Sequence, residues 1–131
     1  FNLKERGDIK MAKRVMVVDD SRMICVQMKK LLEGTDYEVT AYCRDGEEAV
    51  AQYGQVKPDI VTMDIIMTGM DGLEAAQAIL EEHPDARIIM VSSLAYDDTF
   101  EESQSIGAKG FIDKPFEQER LLEALNQAMM A

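Results

Sequence analysis

Short apolar runs alternate strictly with segments of helical periodicity along this chain, and few folds accommodate that pattern. The first run, residues 14–18, is nearly all apolar, as expected for a strand whose sheet is covered on both faces. Four further runs follow, and each run precedes a segment whose apolar residues recur at helical spacing. The pattern predicts strands at 14–18, 37–42, 59–63, 87–91 and 110–112 and helices at about 21–33, 46–53, 72–82, 97–106 and 117–129.

Particular residues mark the ends of the predicted helices. Gly34, Gly54 and Gly107 are expected to end the first, second and fourth helices, and Pro58 to prevent the second from continuing. Asp45 is a suitable N-terminal cap for that second helix. The side chains predicted to face the core from the five helices are Ile24, Met28, Leu31, Leu32, Ala49, Val50, Tyr53, Leu73, Ala76, Leu80, Phe100, Ile106, Leu121, Leu122, Leu125 and Met129.

Strict alternation with short connections implies right-handed crossovers, parallel strands and helices on both faces of the sheet. The predicted fold class is therefore α/β, a single doubly wound parallel sheet of five strands. The 131 residues, 47% of them hydrophobic, leave room for one domain. We expect this domain to span residues 13–131. Residues 1–12 are expected to be an N-terminal leader or an added extension, because the sequence from Met11 resembles a natural start.

The charge of the chain disfavours two classes of partner. Twenty-five acidic residues against 14 Lys and Arg give a formal net charge of -11, which disfavours nucleic acid and anionic lipid as partners.

The sequence has neither an apolar stretch long enough for a membrane span nor a secretory signal, which favours a cytoplasmic protein. Cys25 and Cys43 lack the spacing of a metal-thiolate site, so both are predicted to be reduced core thiols.

Polar side chains follow four of the five predicted strands. The first strand precedes Asp19 and Asp20, the third precedes Asp64, the fourth precedes Ser92, and the fifth is followed by Lys114. Ligands of open α/β sheets bind outside the carboxyl ends of the strands, and there these side chains should converge. Each residue alone is an ordinary cap or loop residue, whereas their joint placement is specific.

Three clustered carboxylates repel one another by several kcal/mol at an effective dielectric constant near 20, so a positive partner is expected beside them. Carboxylate oxygens are hard ligands, which selects Mg²⁺ or a similar hard cation. A carboxylate beside Mg²⁺, with Lys114 as a point charge and Ser92 as a hydroxyl donor, is suited to receiving a phosphoryl group. Asp64 is then the expected nucleophile, and it would become an acyl phosphate.

The motifs that carry these residues resemble those of response-regulator receiver domains, over about residues 13–129. Within that family the chain is most similar to stand-alone CheY-type chemotaxis regulators. The resemblance implies the flavodoxin-like strand order 2-1-3-4-5. The matching motifs are VVDDS at 17–21, MDIIM at 63–67 with MDG at 70–72, VSS at 91–93 and GFIDKPF at 110–116.

The resemblance assigns a role to each residue of the site. Asp64 is implied to be the phosphoacceptor, which takes its phosphoryl group from a phosphohistidine of a sensor histidine kinase or from acetyl phosphate. Asp20 and Asp64 are implied to bind Mg²⁺ through their side chains, Ile66 through its backbone carbonyl, and Asp19 through water. Lys114 is the implied phosphate-binding lysine.

The resemblance also implies a conformational switch. Ser92 is the implied switch hydroxyl and Phe111 the switch aromatic, and a cis peptide bond is implied before Pro115. Phosphorylation would shift an existing equilibrium and alter a surface formed by helix 4, strand 5 and helix 5, which binds a downstream protein. Tyr96, Phe111 and Phe116 are expected on that surface.

One departure from the family pattern concerns the loop after Asp64. The family usually has proline after the methionine that corresponds to Met67, and this chain has Thr68 and Gly69 there. The substitution predicts a less constrained loop.

Three other interpretations are compatible with the same residues. The chain could be an Asp-based Mg²⁺ phosphohydrolase, although such enzymes carry a second aspartate where Ile66 stands. It could be a docking module that is never phosphorylated, although the full set of polar residues argues against this. It could also be a receiver excised from a larger regulator. A flavin site lacks the Gly- and Thr-rich phosphate loop after strand 1.

Overall fold

A computed structural model describes residues 11–93 and 97–131 of the protein. Five parallel strands form one sheet in the order β2-β1-β3-β4-β5, which confirms the predicted fold class and strand order. The strands are β1 (Lys13–Val18), β2 (Tyr37–Cys43), β3 (Ile60–Asp64), β4 (Ile88–Ser92) and β5 (Gly110–Asp113). The helices are α1 (Arg22–Leu32), α2 (Gly46–Val56), α3 (Gly72–Glu82), α4 (Asp97–Ser105) and α5 (Gln118–Met130).

Nine of these ten elements begin and end within one residue of their predicted bounds, and the exception is the end of α2. Gly54 was expected to end this helix but lies inside it, because a glycine in a helix interior costs only about 1 kcal/mol relative to alanine. The helix ends at Val56, where Lys57 adopts the left-handed conformation (φ 49°) and its N–H donates to the Tyr53 carbonyl. Asp45 caps the other end, as predicted, by accepting a hydrogen bond from the Glu48 N–H.

The sheet separates two apolar cores. The first lies between the sheet and helices α1 and α5, and the second lies on the α2 and α3 side. All five residues of β3 and of β4 are buried, as expected for central strands covered on both faces. Cys25 is in the first core and Cys43 in the second, and both are free thiols, as predicted. Among the described residues, no helix is long and apolar enough to cross a membrane.

The buried face of α3 is wider than predicted. Ala76 is fully buried as expected, and Leu73 and Leu80 are half-buried and pack against the second core. Ala75 and Ile79, which were not predicted to face the core, are also fully buried. Small residues allow α2 and α3 to approach closely: a Cβ atom on Gly46 would lie 3.1 Å from the Ala75 Cβ. The periodicity of large apolar residues does not predict this contact, because the residues that meet there, Gly46 and Ala75, have little or no side chain.

Candidate functional site

The carboxyl end of the sheet brings together acidic residues that follow β1 and end β3 and the lysine that follows β5. Lys114 Nζ lies 2.8 Å from Asp19 Oδ2 and 3.4 Å from Asp64 Oδ1. Asp20 is exposed, whereas Asp19 and Asp64 are buried. Asp19, Asp20 and Asp64 each contribute one carboxylate oxygen to a group whose members lie within 4.8 Å of one another. These four side chains therefore share one site.

Local backbone geometry explains why Asp19 is buried and its neighbour is not. The Asp19 N–H donates to the Cys43 carbonyl (3.0 Å), which fixes the end of β1 against β2. Asp19 Oδ1 accepts a hydrogen bond from the Ser21 N–H (2.8 Å), just before α1. The Asp19 side chain thus points into the site, and Asp20, the next residue, points to the rim.

Gly72 places α3 directly against the backbone of Asp64. A Cβ atom on Gly72 would lie only 1.9 Å from the Asp64 carbonyl oxygen, so no larger residue fits without a backbone shift. The Gly72 N–H donates to the Ile65 carbonyl (2.8 Å), and Asp71 begins α3 with a capping box that includes Glu74. Gly72 is part of the MDG motif at 70–72 that carries the family resemblance, but the sequence analysis predicted no role for it.

The site carries more negative than positive charge. Burial and, after it, the negative charge of Asp19 raise the pKa of Asp64 to about 6, although Lys114 opposes both effects. Burial alone would lower the pKa of Lys114, but the hydrogen bond to Asp19 and the charge of Asp64 outweigh it, so this pKa is raised. One ammonium group thus fails to compensate the surrounding carboxylates.

The chemistry of the donor atoms fits a hard divalent cation. The three clustered groups are all carboxylates, which are suitable ligands for Mg²⁺. Burial and the charge of Asp19 disfavour the charged form of Asp64 even with Lys114 beside it, and a bound cation would offset both effects. Ile66 follows Asp64 by two residues in the loop that leads to α3, and its side chain is 54% exposed.

The two residues expected to form a switch lie on neighbouring strands. Ser92 is the buried last residue of β4, and its carbonyl accepts a hydrogen bond from the Lys114 N–H (2.8 Å). Phe111 is half-buried in β5, and its ring meets that of Phe100 on α4 edge-on, with ring centroids 5.6 Å apart. Phe100 was expected to face the core but is 44% exposed, since it covers Phe111 from outside. The peptide bond between Lys114 and Pro115 is cis, as the resemblance implied.

The surface expected to bind a downstream partner needs one correction. Phe116 is only 6% exposed and packs in the core shared by α1 and α5, so it contributes little area to that surface. The residue follows the cis proline at the end of β5, where the chain turns inward toward α5. Tyr96 lies outside the described residues.

Glu47 contacts the segment between β3 and α3, and the sequence did not indicate this contact. Its Oε2 atom accepts a hydrogen bond from the Met70 N–H at 3.2 Å. The two residues are 23 positions apart, and an exposed glutamate in the first turn of a helix ordinarily signals only a favourable interaction with the helix dipole.

Comparison with known proteins gives consistent results over most of the chain. Residues 15–126 match the family model described as the response regulator receiver domain. The chain is 43% identical to the chemotaxis protein CheY of Listeria monocytogenes over 115 residues, which are 88% of this chain and 97% of that protein. It is 42% identical to the chemotaxis protein CheY of Thermotoga maritima, covering 89% of this chain and 98% of that protein.

Solved structures agree with this assignment. The response regulator domain of Thermotoga maritima CheB superposes with a TM-score of 0.84 at 36% identity, covering 92% of this chain and 98% of that one. The CheY chain in the CheX-CheY-BeF3-Mg complex of Borrelia burgdorferi gives a TM-score of 0.83 at 32% identity, covering 92% and 90%. This chain therefore belongs to the response regulator receiver domain family.

Proposed function

We propose that this protein is a phosphorylation switch of two-component signalling in which Asp64 accepts the phosphoryl group. The observation that carries the proposal is the placement of a buried Asp64, with its raised pKa, among Asp19, Asp20 and Lys114. A pKa of about 6 leaves the carboxylate ionised at neutral pH while keeping it poorly compensated. Such a carboxylate is a suitable nucleophile.

The transfer step forms one bond and breaks one bond. A carboxylate oxygen of Asp64 attacks the phosphorus atom of a phosphohistidine or of acetyl phosphate. The phosphorus–nitrogen or phosphorus–oxygen bond breaks, and its electron pair leaves with the imidazole, which takes a proton from solvent, or with acetate. Asp64 becomes a mixed anhydride, and the Lys114 ammonium neutralises charge on the incoming phosphoryl oxygens.

Mg²⁺ is the cofactor that this donor set would hold. Asp20 and Asp64 would contribute carboxylate oxygens, Ile66 its backbone carbonyl, and Asp19 a contact through water. When bound, the ion supplies positive charge that offsets both the clustered acids and the phosphoryl oxygens. The similar CheX-CheY complex of Borrelia burgdorferi was solved with BeF3 and Mg²⁺, which supports Mg²⁺ as the ion here.

Ser92 and Phe111 would convert the modification into a change of surface. The phosphoryl group would draw in the Ser92 hydroxyl, and Phe111, which is already half-buried against Phe100, would turn further inward. The surface affected is that of α4, β5 and α5. A Phe111→Ala variant should accept the phosphoryl group normally and bind its target more weakly, and unchanged binding would remove this role from Phe111.

The partners follow from the same chemistry and from the relatives. A sensor histidine kinase would donate the phosphoryl group, and a protein target would bind the altered surface. Several relatives at 40–43% identity are chemotaxis proteins, which favours a chemotaxis pathway. A cytoplasmic location fits both this role and the two free buried cysteines. Nucleic acid and membranes are not proposed as partners, since the formal net charge is -11.

Intact-mass analysis after incubation with Mg²⁺ and acetyl phosphate tests the proposal. The unmodified sequence should gain the mass of one phosphoryl group, and Asp64→Asn should gain none. Asp85→Asn is a matched control, because Asp85 is an exposed aspartate at the opposite end of the sheet. Labelling of Asp64→Asn at the normal rate would refute the assignment. Release of many phosphates per chain would instead favour the phosphohydrolase.

A further inference from the structure

Both backbone polar groups of Met70 contact the first turn of α2. The Met70 N–H donates to Glu47 Oε2 at 3.2 Å. On the other side, a Cβ atom on Gly46 would lie 2.8 Å from the Met70 carbonyl oxygen, so the first residue of α2 packs directly against that carbonyl. Met70 belongs to the loop between β3 and α3 (residues 65–71, the β3–α3 loop). The start of α2 therefore holds this loop from outside the site.

Gly69 makes room for the glutamate. A Cβ atom at this position would lie 3.2 Å from Glu47 Oε2, closer than most side-chain contacts, and its φ of 79° lies in the left-handed region. Thr68 and Gly69 were expected to leave the β3–α3 loop less constrained. In the structure, Glu47 supplies a constraint on that loop through a side chain of α2.

The β3–α3 loop connects this contact to the proposed metal site. Its first residue, Ile65, donates to the Val91 carbonyl (3.0 Å), and the loop carries Ile66. At its tip, Thr68 and Asp20 line the same polar cleft of about 360 Å³. A displacement of Met70 would therefore move the backbone of the same loop. That backbone includes Thr68, which lines the cleft with Asp20, and Ile66, which follows Asp64 by two residues.

We propose that Glu47 is a positioning residue for the Mg²⁺ site, acting through the Met70 N–H to hold the β3–α3 loop. The inference rests on the proposed function, since it assigns Mg²⁺ to the carboxylates at the end of the sheet. Glu47 itself touches neither the carboxylate cluster nor the phosphoryl group in this account. Its effect passes through the hydrogen bond and depends on the acceptor oxygen rather than on the negative charge.

Three variants separate the hydrogen bond from the charge. Glu47→Ala removes both, whereas Glu47→Gln removes the charge and keeps an oxygen that can accept from Met70. Glu81→Ala is the matched control, since Glu81 is an exposed glutamate in the last turn of α3, away from the carboxyl end of the sheet. Each variant is measured for Met70 amide hydrogen exchange by NMR in EDTA, Mg²⁺ affinity by calorimetry and thermal unfolding in EDTA.

We expect Glu47→Ala to accelerate Met70 amide exchange and to weaken Mg²⁺ binding, each by about three- to tenfold, the effect of losing one hydrogen bond. Glu47→Gln and Glu81→Ala should resemble the unmodified protein in both measurements. The unfolding midpoint of Glu47→Ala in EDTA should fall by no more than about 5 °C, because the variant loses a single exposed hydrogen bond.

Normal exchange and normal Mg²⁺ affinity in Glu47→Ala would overturn the inference while leaving the proposed function intact. Equal weakening in Glu47→Gln and Glu47→Ala would also overturn it, because the effect would then come from charge. Failure of the unmodified protein to bind Mg²⁺ would overturn the inference together with the proposed metal site.

Discussion

Arg14 lies at the amino end of the sheet and Lys114 at its carboxyl end, and these two cations have very different surroundings. Arg14 donates from Nη1 to the Lys57 carbonyl (2.7 Å) and from Nη2 to the Val56 carbonyl, at the end of α2. Its backbone N–H donates to Asp59 Oδ2 at 2.7 Å. The last carbonyls of a helix lack partners within the helix, so Arg14 satisfies groups that the fold leaves open.

Lys114 has more negative charge around it than it can neutralise. It contacts Asp19 and Asp64, with Asp20 beside them, and the pKa of Asp64 is still raised to about 6. The charged groups at the amino end complete the fold, whereas those at the carboxyl end lower its stability and remain available for a ligand. The two cations therefore differ in role. Arg14 completes hydrogen bonds of the fold, whereas Lys114 lies among carboxylates whose negative charge it does not fully compensate.

The largest expected effect concerns the backbone beneath Asp64. Gly72→Ala would place a Cβ atom 1.9 Å from the Asp64 carbonyl oxygen. We expect a loss of about 3 kcal/mol in the free energy of unfolding, measured by urea denaturation, together with slower labelling by acetyl phosphate. Gly54→Ala is the control, because Gly54 lies in a helix and its Cβ atom would meet only the His83 ring, at an ordinary contact distance of 3.9 Å; this change should stabilise by about 0.5–1 kcal/mol. Equal stability of the two variants would show that α3 can move away from β3.

The next effect separates the two cations by function. Lys114→Met should slow phosphoryl transfer from acetyl phosphate about a hundredfold, since it removes a charge aimed at the phosphoryl oxygens. Arg14→Met makes the same chemical change at the other end of the sheet and should leave that rate unchanged. Labelling kinetics by mass spectrometry measure both rates. Similar slowing in the two variants would break the comparison.

The third prediction concerns stability and pH in the absence of metal. The pKa of Asp64 rises from 3.8 to about 6 on folding, so its contribution to stability is full below pH 3.8 and is lost as the pH rises through 6. Asparagine does not titrate, so the stability of Asp64→Asn lacks this dependence on pH. In EDTA, the stability of Asp64→Asn relative to the unmodified protein should therefore increase by about 2 kcal/mol between about pH 4 and pH 7.5. Parallel pH profiles would show that the carboxylate is already compensated.

The smallest effect is the loss of the amino-end contacts. Arg14→Met should lower the free energy of unfolding by about 1 kcal/mol, because hydrogen bonds to two exposed helix carbonyls give way to water. Chemical denaturation at neutral pH measures the change. A loss as large as that of Gly72→Ala would mean that the end of α2 depends on this single side chain.

The sequence predicted the elements and the main site residues for a physical reason. The carboxyl ends of parallel strands meet at one edge, so Asp19, Asp64 and Lys114 could be placed together without coordinates. The bounds of nine elements followed from apolar periodicity and from residues that cap or break helices.

What the sequence could not predict depends on distances between separate elements. The contact of Glu47 with Met70 joins two elements, and neither residue carries a local signal for it. The burial of Phe116 depends on how the chain turns after β5, and the close approach of Gly72 to Asp64 depends on where α3 packs. Apolar periodicity identifies the face that is buried but not the distance of approach.

The four residues of β5 connect the two halves of the molecule. Phe111 packs against the core on the α2 and α3 side, and the next residue, Ile112, is buried in the core of α1 and α5. Lys114 follows at the site, and β5 is the edge strand that pairs with β4. A displacement of Lys114 would therefore shift side chains in both cores at once, one on each face of the sheet.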